Sequence, residues 1–594
     1  MGMAKSLSAA VVTSSALFAT LPAAPVTTSA NPHVAASPSF TPESLGAKCD
    51  GVTDDTAPLA QAAAAANQAH ASLVIDCRLL IASGEVMIKS PVRFEHGGQL
   101  EVRRGASVEF RDLFAAPPTR VFYLSGGRVS FKGNVPQFLV TWWGGDPQSV
   151  ADYAPALSAA AAAAMSSTEG HVPLELPEGT VNIGSTVTIK NGIDLRIRGA
   201  GNRKTYLKWT GRLGGTMLRL VNCYRTTLEH FSLDGTNPAA SELVLVQNDT
   251  TQPDYSLPSS LNVFRDLRFV GGAYAIRFSI PPGAQDVMND QSRIERIVAA
   301  NQSIATVSIR GQNSKQHGFY ECSFTASPRA VLVEDATQGG GGAGGSFHWY
   351  GGYVSSSVAN FDIQGVSVDG LSIFATNSES SARFLVVRAS SQDFPVNIIG
   401  CRYSAANLNP DGFALVLGAL GPYNIIGNHW GEQAQSHVPR FRLGDGGPTA
   451  ADIHSNSFAS LDSVATDVLK LEGAGPFQIS MHGNLYRKSD GTRVLKDEQR
   501  ASYKDAISAG TTDLHGSVTV KGRETEATTT FPSPQHQATK DYFVTITPTA
   551  TTGLPPAAAH RVLVVTKNTS GFVVKTEAAP GEGSSVTFDW RLFH

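Results

Sequence analysis

A short phrase recurs along residues 261–488, and this recurrence limits the possible folds more than any other feature of the chain. Phe394-Pro-Val-Asn-Ile-Ile-Gly-Cys-Arg-Tyr403 is followed by Pro422-Tyr-Asn-Ile-Ile-Gly-Asn-His-Trp430. Asp452-Ile-His-Ser-Asn-Ser-Phe458 and Gln478-Ile-Ser-Met-His-Gly-Asn-Leu-Tyr486 continue the series. The closing aromatics fall at Phe374, Tyr403, Trp430, Phe458 and Tyr486, in steps of 29, 27, 28 and 28. Upstream, Leu267-Arg-Phe269 and Cys322-Ser-Phe324 keep the period, with a copy at Ile297 between them. Each copy is too short for a helix, apolar or alternating, and bounded by Gly, Asn, Asp or Ser, which reads as strand. Such a period predicts a solenoid in which each turn buries its apolar face on the next.

Asn428, Asn456 and Asn484 stand two residues before successive aromatics, and Cys322 and Cys401 hold the same slot. Strands stacked in register bring such side chains about 4.8 Å apart. An amide donates to one neighbour and accepts from the other, so an Asn column can satisfy itself inside a turn. Together these features resemble an all-β, right-handed parallel β-helix of the pectate-lyase-like superfamily. Gly46-Ala-Lys-Cys-Asp-Gly-Val-Thr-Asp-Asp-Thr56 resembles the opening of many β-helix polysaccharide enzymes and phage tailspikes, with Cys49 where that pattern has Gly. The Ala-rich helix that follows is expected to take its N-terminal cap from Asp55 or a neighbour, to tolerate Pro58 in its first turn, and to cover the first rung.

The same grammar returns at Trp142-Trp-Gly-Gly-Asp146 and Asp152-Tyr-Ala-Pro-Ala-Leu157, before a second Ala-rich helix. The expected plan is an N-terminal arm (1–40), a small capped β unit (41–140), the main β-helix (141–495), a linker (496–540) and a C-terminal β-sandwich-like module (541–594). That last module resembles those that end many tailspikes and help three chains associate, or alternatively a carbohydrate-binding sandwich. The arm resembles either an attachment segment or a diluted secretory signal.

Of the 594 residues 16% are charged, and the net charge of −3 lacks the basic excess of a nucleic-acid binder. No apolar run reaches the length of a membrane span. The five cysteines are scattered without C-x-x-C spacing and read as free, mostly buried thiols, with no disulfide framework and no zinc site. No metal or other cofactor is expected.

The resemblance implies a protein that grips and cleaves surface polysaccharide, but it supplies no catalytic residues. Neither the three-Asp pattern of polygalacturonases nor a Ca²⁺-lyase signature is present. Aligning Phe264-Arg-Asp-Leu-Arg-Phe269, Ile294-Glu-Arg-Ile297 and Phe319-Tyr-Glu-Cys-Ser-Phe324 places Asp266, Arg296 and Glu321 in one outward column. Asp266 and Glu321 would then stand two rungs, about 9.5 Å, apart. Inverting glycosidases leave room for a water between carboxyls at about 6.5–9.5 Å. Glu295 and Asp234 are further catalytic candidates, with Arg268 and Arg296 as substrate ligands. The competing reading of the column is a cross-strand salt ladder. In Phe347-His-Trp-Tyr350, after the Gly-rich run 339–345, the residues His348, Trp349 and Tyr350 are candidates to stack on sugar.

The resemblance thus implies a homotrimeric tailspike, carried on a phage tail or baseplate through its arm, that hydrolyses a bacterial surface polysaccharide with paired carboxylates and acts at the cell surface. The alternatives are a secreted polysaccharide lyase or epimerase, and a glycan-binding fibre without turnover.

Overall fold

The structure, a computed structural model, describes residues 38–487, 501–503 and 515–593. Short internal stretches are excepted, the longest being 250–257, 280–287, 335–345, 406–411, 433–439, 460–467 and 531–542. The expected arm (to residue 37), the run 339–345 and the linker phrase 531–534 lie outside the described residues. The chain is a parallel β-solenoid of about 13 turns with two helices, α1 (Thr56–Gln68) and α2 (Ala154–Met165), and an antiparallel C-terminal module.

Each rung of the main solenoid gives one strand to each of three stacks, here I, II and III. Val263–Arg265, Arg268–Gly271 and Tyr274–Phe278 form one rung, and Arg293–Glu295, Val298–Ala300 and Ala305–Ile309 form the next. They pair in parallel, with Val263 opposite Arg293, Arg268 opposite Val298 and Tyr274 opposite Ala305. Alternation then sends every second side chain inward. On stack I the inward column runs Leu228, Phe264, Ile294, Phe319, Trp349, Ile373, Ile398, Ile425 and Ile453, all fully buried. Full burial of one such side chain stabilises by about 1.5–3 kcal/mol, which is why a repeat of short apolar strands suffices.

A sharp corner separates stacks I and II, and one residue per rung takes the left-handed conformation there. His230, Asp266, Arg296, Glu321, Gly351, Ala375, Gly400, Gly427, Ser455 and Gly483 hold φ between +49° and +68°. The next residue turns inward, and this is the Asn slot. Asn428, Asn456 and Asn484 donate to the carbonyls of Ile398, Ile425 and Ile453 at 2.9, 2.7 and 2.9 Å. Their side-chain oxygens accept from the backbone N–H of Cys401, Asn428 and Asn456 at 2.8, 3.0 and 2.9 Å. Where the slot holds Cys322 or Cys401, the thiol donates to Ile294 or Ile373 in the same carbonyl column, at 3.5 Å. Burial pushes these two thiols up to about 12 and about 11.

Of the expected aromatic series, Tyr403, Trp430, Phe458 and Tyr486 share one inward column of stack II. Phe374 does not belong to it. Ser378 is the residue opposite Tyr403, and Phe374 ends a stack I strand facing outward. The alignment slipped because that rung also closes in an aromatic, four residues too early.

The N-terminal unit is built as the main solenoid is, from three short parallel stacks. One core cluster runs without a break from Ala47 to Tyr486, so α2 and the rings of Phe131, Phe138 and Trp142 bridge the two. Both helices start in the same way. Asp54 accepts the N–H groups of Thr56 and Ala82 at 3.0 and 3.2 Å, and Asp152 accepts those of Ala154 and Gly184 at 2.9 and 2.7 Å. The cap of α1 therefore comes from Asp54, while Asp55 turns away to accept the Lys48 N–H at 2.7 Å.

Cys49 and Cys77 form a disulfide, which corrects the reading of five free thiols; Cys223, Cys322 and Cys401 are free and buried. The bond joins adjacent rungs, because Asp50 pairs with Arg78 and so brings Cys49 beside Cys77 with Cα atoms 5.5 Å apart. Their separation of 28 residues equals the repeat. Cys49 also sits at φ +57°, the conformation that explains glycine at this place in the resembling motif.

In the C-terminal module, two three-stranded antiparallel sheets enclose Val518, Val520, Phe572, Val574, Val586 and Phe588. Two of its strands, His515–Lys521 and Glu526–Thr530, come from the stretch expected to be linker. Thr528 and Thr530, exposed on either side of the buried Thr529, made the second of them read as polar coil.

Candidate functional site

Outward residues of stack I form two columns. The first reads Glu175, Arg198, Glu229, Arg265, Glu295, Tyr320, Tyr350, Phe374, Ile399, Ile426, His454, His482. Its first five members alternate in charge. Arg198 pairs with Glu175 at 2.9 Å and Arg265 with Glu295 at 2.7 Å, while Arg196 contacts Glu229 and Arg293 contacts Glu295. Then the character changes to aromatic. Tyr350 lies parallel between Tyr320 and Phe374, at 5.2 Å from each and tilted by 8° and 12°. The Arg293 guanidinium sits 4.8 Å from the Tyr320 ring centre, where the charged ladder meets the stack.

The second column, two residues earlier on each strand, reads Arg293, Gly318, His348, Ser372, Asn397, Asn424, Asp452. Asn424 donates to Asn397 at 2.8 Å and Asn397 to Ser372 at 3.1 Å. Gly318 is flat by necessity, since a Cβ there would meet the Tyr320 ring at 2.7 Å. Burial holds the half-buried His348 imidazole below its usual range. An open cleft of about 470 Å³ lies against this column, lined by His348, Ser372, Asn397, Lys315, Gln316 and Pro395 among others.

The expected residues divide among four places. Asp266, Arg296 and Glu321 do share a column, but at the left-handed corner rather than on a strand. Arg296 grips both oxygens of Asp266 at 2.7 and 2.8 Å, and this guanidinium holds the Asp266 carboxyl below its ordinary value. The place where a water would stand between two carboxyls is thus filled by Arg296. Glu321 is exposed beside Tyr320. Glu295, 3% exposed, lies under Arg265 and Arg293. Asp234 and Arg268 are on stack II, where Asp234 closes a turn by accepting from Thr236 at 2.9 Å. Tyr350 and His348 face outward, Tyr350 being 39% exposed. Trp349 does not, because it is the inward member of the same strand and stacks on Phe319 at 5.2 Å in the core. It cannot serve as a sugar platform.

Stack III carries a charged cluster that sequence reading missed. Arg277 lies between Glu242 at 3.1 Å and Glu334 at 3.0 Å, and Arg329 contacts the buried Asp362 at 2.7 Å. These charges come from the third strand of successive rungs or, for Glu334, from just beyond one, a juxtaposition that only aligning those strands in register would have exposed. Among the described residues no group of His, Cys, Asp or Glu is placed to hold a metal ion. No described helix is long and apolar enough to cross a membrane.

No protein-family model matches the sequence, and no curated protein matches it. Among solved structures the chain is similar to ORF18 of Geobacillus virus E2, at 14% identity and a TM-score of 0.30, over 59% of this chain and 61% of that one. It is also similar to the A-module of a mannuronan C-5 epimerase from Azotobacter vinelandii (12% identity, TM-score 0.41, 62% of this chain and 100% of that one). A third is the tailspike protein gp49 from Pseudomonas phage LKA1 (10% identity, TM-score 0.30, 75% and 94%). At these identities the likeness is one of fold.

Proposed function

We propose that this protein is a tailspike-like glycan-processing protein that lays a bacterial surface polysaccharide along the outer face of stack I and hydrolyses it. One observation carries the reading: the outward, parallel stack of Tyr320, Tyr350 and Phe374, separated from an open cleft by the column of His348, Ser372 and Asn397 that lines it. Sugar rings present apolar C–H groups, and the outward edges of the three stacked rings give them an apolar surface to lie on, while Ser372, Asn397 and Asn424 offer hydroxyl and amide partners alongside. Glu321 stands at the end of this stack and is the carboxylate we assign to general acid–base work, since both oxygens of Asp266 are taken up by Arg296. The trimer and attachment to a phage tail through the arm belong to the same reading.

A second reading, a glycan-binding fibre without turnover, draws support from the ion pairs that occupy Asp266 and Glu295. Variants separate the two. Tyr350→Ala should weaken glycan binding under either, whereas Glu321→Gln should retain binding and lose turnover by about 10²-fold or more only if hydrolysis is right. Unchanged binding by Tyr350→Ala and by Phe374→Ala would remove the stack from the site and the reading with it.

A further inference from the structure

Between the rung of Tyr320 and the rung of Ile426, stack I changes its chemistry and then changes back. Over these five rungs the outward residues are Tyr320, Tyr350, Phe374, Ile399 and Ile426 in one column. Gly318, His348, Ser372, Asn397 and Asn424 fill the other. None is a carboxylate, a lysine or an arginine. The adjoining corner runs Glu321, Gly351, Ala375, Gly400, Gly427, so after Glu321 it too is uncharged and nearly free of side chains. Charge resumes at both borders, with Arg293 and Glu295 below and Asp452 above. Lys315 is the cation on the cleft's rim. Elsewhere this same face is laced with ion pairs, so the neutral stretch is local and about 19 Å long at the ordinary spacing of stacked strands.

Aromatic edges, aliphatic side chains and an amide–hydroxyl ladder suit ring C–H groups, hydroxyls and N-acetyl groups. They offer nothing to a carboxylate, whose burial without a partner is costly. We infer that the glycan segment seated on Tyr350, Phe374 and the Ser372–Asn397–Asn424 ladder is uncharged, built of neutral hexoses or N-acetylated amino sugars. This rests on the proposed glycan-processing function and narrows its substrate class. It also bears on the chemistry. Elimination or epimerisation at a uronate removes the proton beside a carboxylate, and the charge that develops needs cationic or strong hydrogen-bond stabilisation. Among the described residues the outward positions of the stretch carry no cation of their own, and Lys315 and Arg293 stand at its edges.

The test uses the full chain and a panel of purified bacterial surface polysaccharides. Each uronate-containing polymer is offered both native and after chemical reduction of its carboxyl groups to alcohols. Retention should be strongest on neutral or carboxyl-reduced polymers and should persist as salt is raised. Asn397→Lys and Asn424→Lys, both on half-buried outward positions, should each lower affinity for a neutral glycan by about tenfold. Binding confined to native uronate polymers and abolished by carboxyl reduction or salt would overturn the inference while leaving a glycan-binding function in place. No retention of any polymer would overturn that function itself, and the inference with it.

Discussion

Arg296 meets Asp266 side-on, its Nε and Nη2 donating to the two carboxylate oxygens at 2.7 and 2.8 Å from the adjacent rung. Because Asp266 is held below its ordinary carboxyl value of 3.8, the pair stabilises the fold above that pH and the contribution fades as pH falls through the depressed value. Both groups are partly exposed, so the contribution is under about 1 kcal/mol. Asp266→Asn should therefore shift denaturant midpoints only slightly at neutral pH, and not at all in strong acid. A large loss at neutral pH would mean that the corner depends on this pair.

Asn456 donates to Ile425, accepts from Asn428 and lies at 1% exposure. Asn456→Ala should cost about 1–3 kcal/mol, since it strands buried backbone groups on two rungs. Asn428→Cys should cost less, because Cys401 already occupies this slot one rung below with its thiol on the equivalent carbonyl. Urea unfolding of the two variants checks the order.

Trp349 and Tyr350 are sequence neighbours with opposite assignments. Trp349→Ala should destabilise by about 3–5 kcal/mol through the cavity it leaves. Tyr350→Ala should spare the fold to within about 1–2 kcal/mol and weaken glycan binding about tenfold. Thermal unfolding and glycan titration, run on both variants, should sort them in that way.

The Cys49–Cys77 bond closes a loop of one repeat. Replacing both with Ser should lower the stability of the chain by about 2–4 kcal/mol and leave glycan binding on stack I intact. Loss of binding as well would tie the N-terminal unit to the site.

The solenoid was legible because a period of 28 and an Asn slot leave little alternative, and the corner residues Asp266, Arg296 and Glu321 aligned correctly for the same reason. What the repeat did not reveal was direction at its aromatic ends. Phe374 and Tyr403 both close a phrase, yet one faces out and the other in, because the left-handed residue after Phe374 was not recognised as the corner. Once Ala375 is matched with Gly400 and Gly427, the outward stack with Tyr320 and Tyr350 becomes readable. The disulfide had a signal that went unused, its separation matching the period. The ion pairs on Asp266 and Glu295 had none, since only the fold shows which arginine reaches which carboxylate.

The measurement closest to the central claim is the fate of a recognised surface polysaccharide incubated with the purified protein, followed by chain length, new reducing ends and ultraviolet absorbance. Hydrolysis on stack I predicts shorter chains, one new reducing end per cut and no absorbance, with turnover lost in Glu321→Gln. Absorbance rising with each cut, or a glycan held firmly and never shortened, would contradict it.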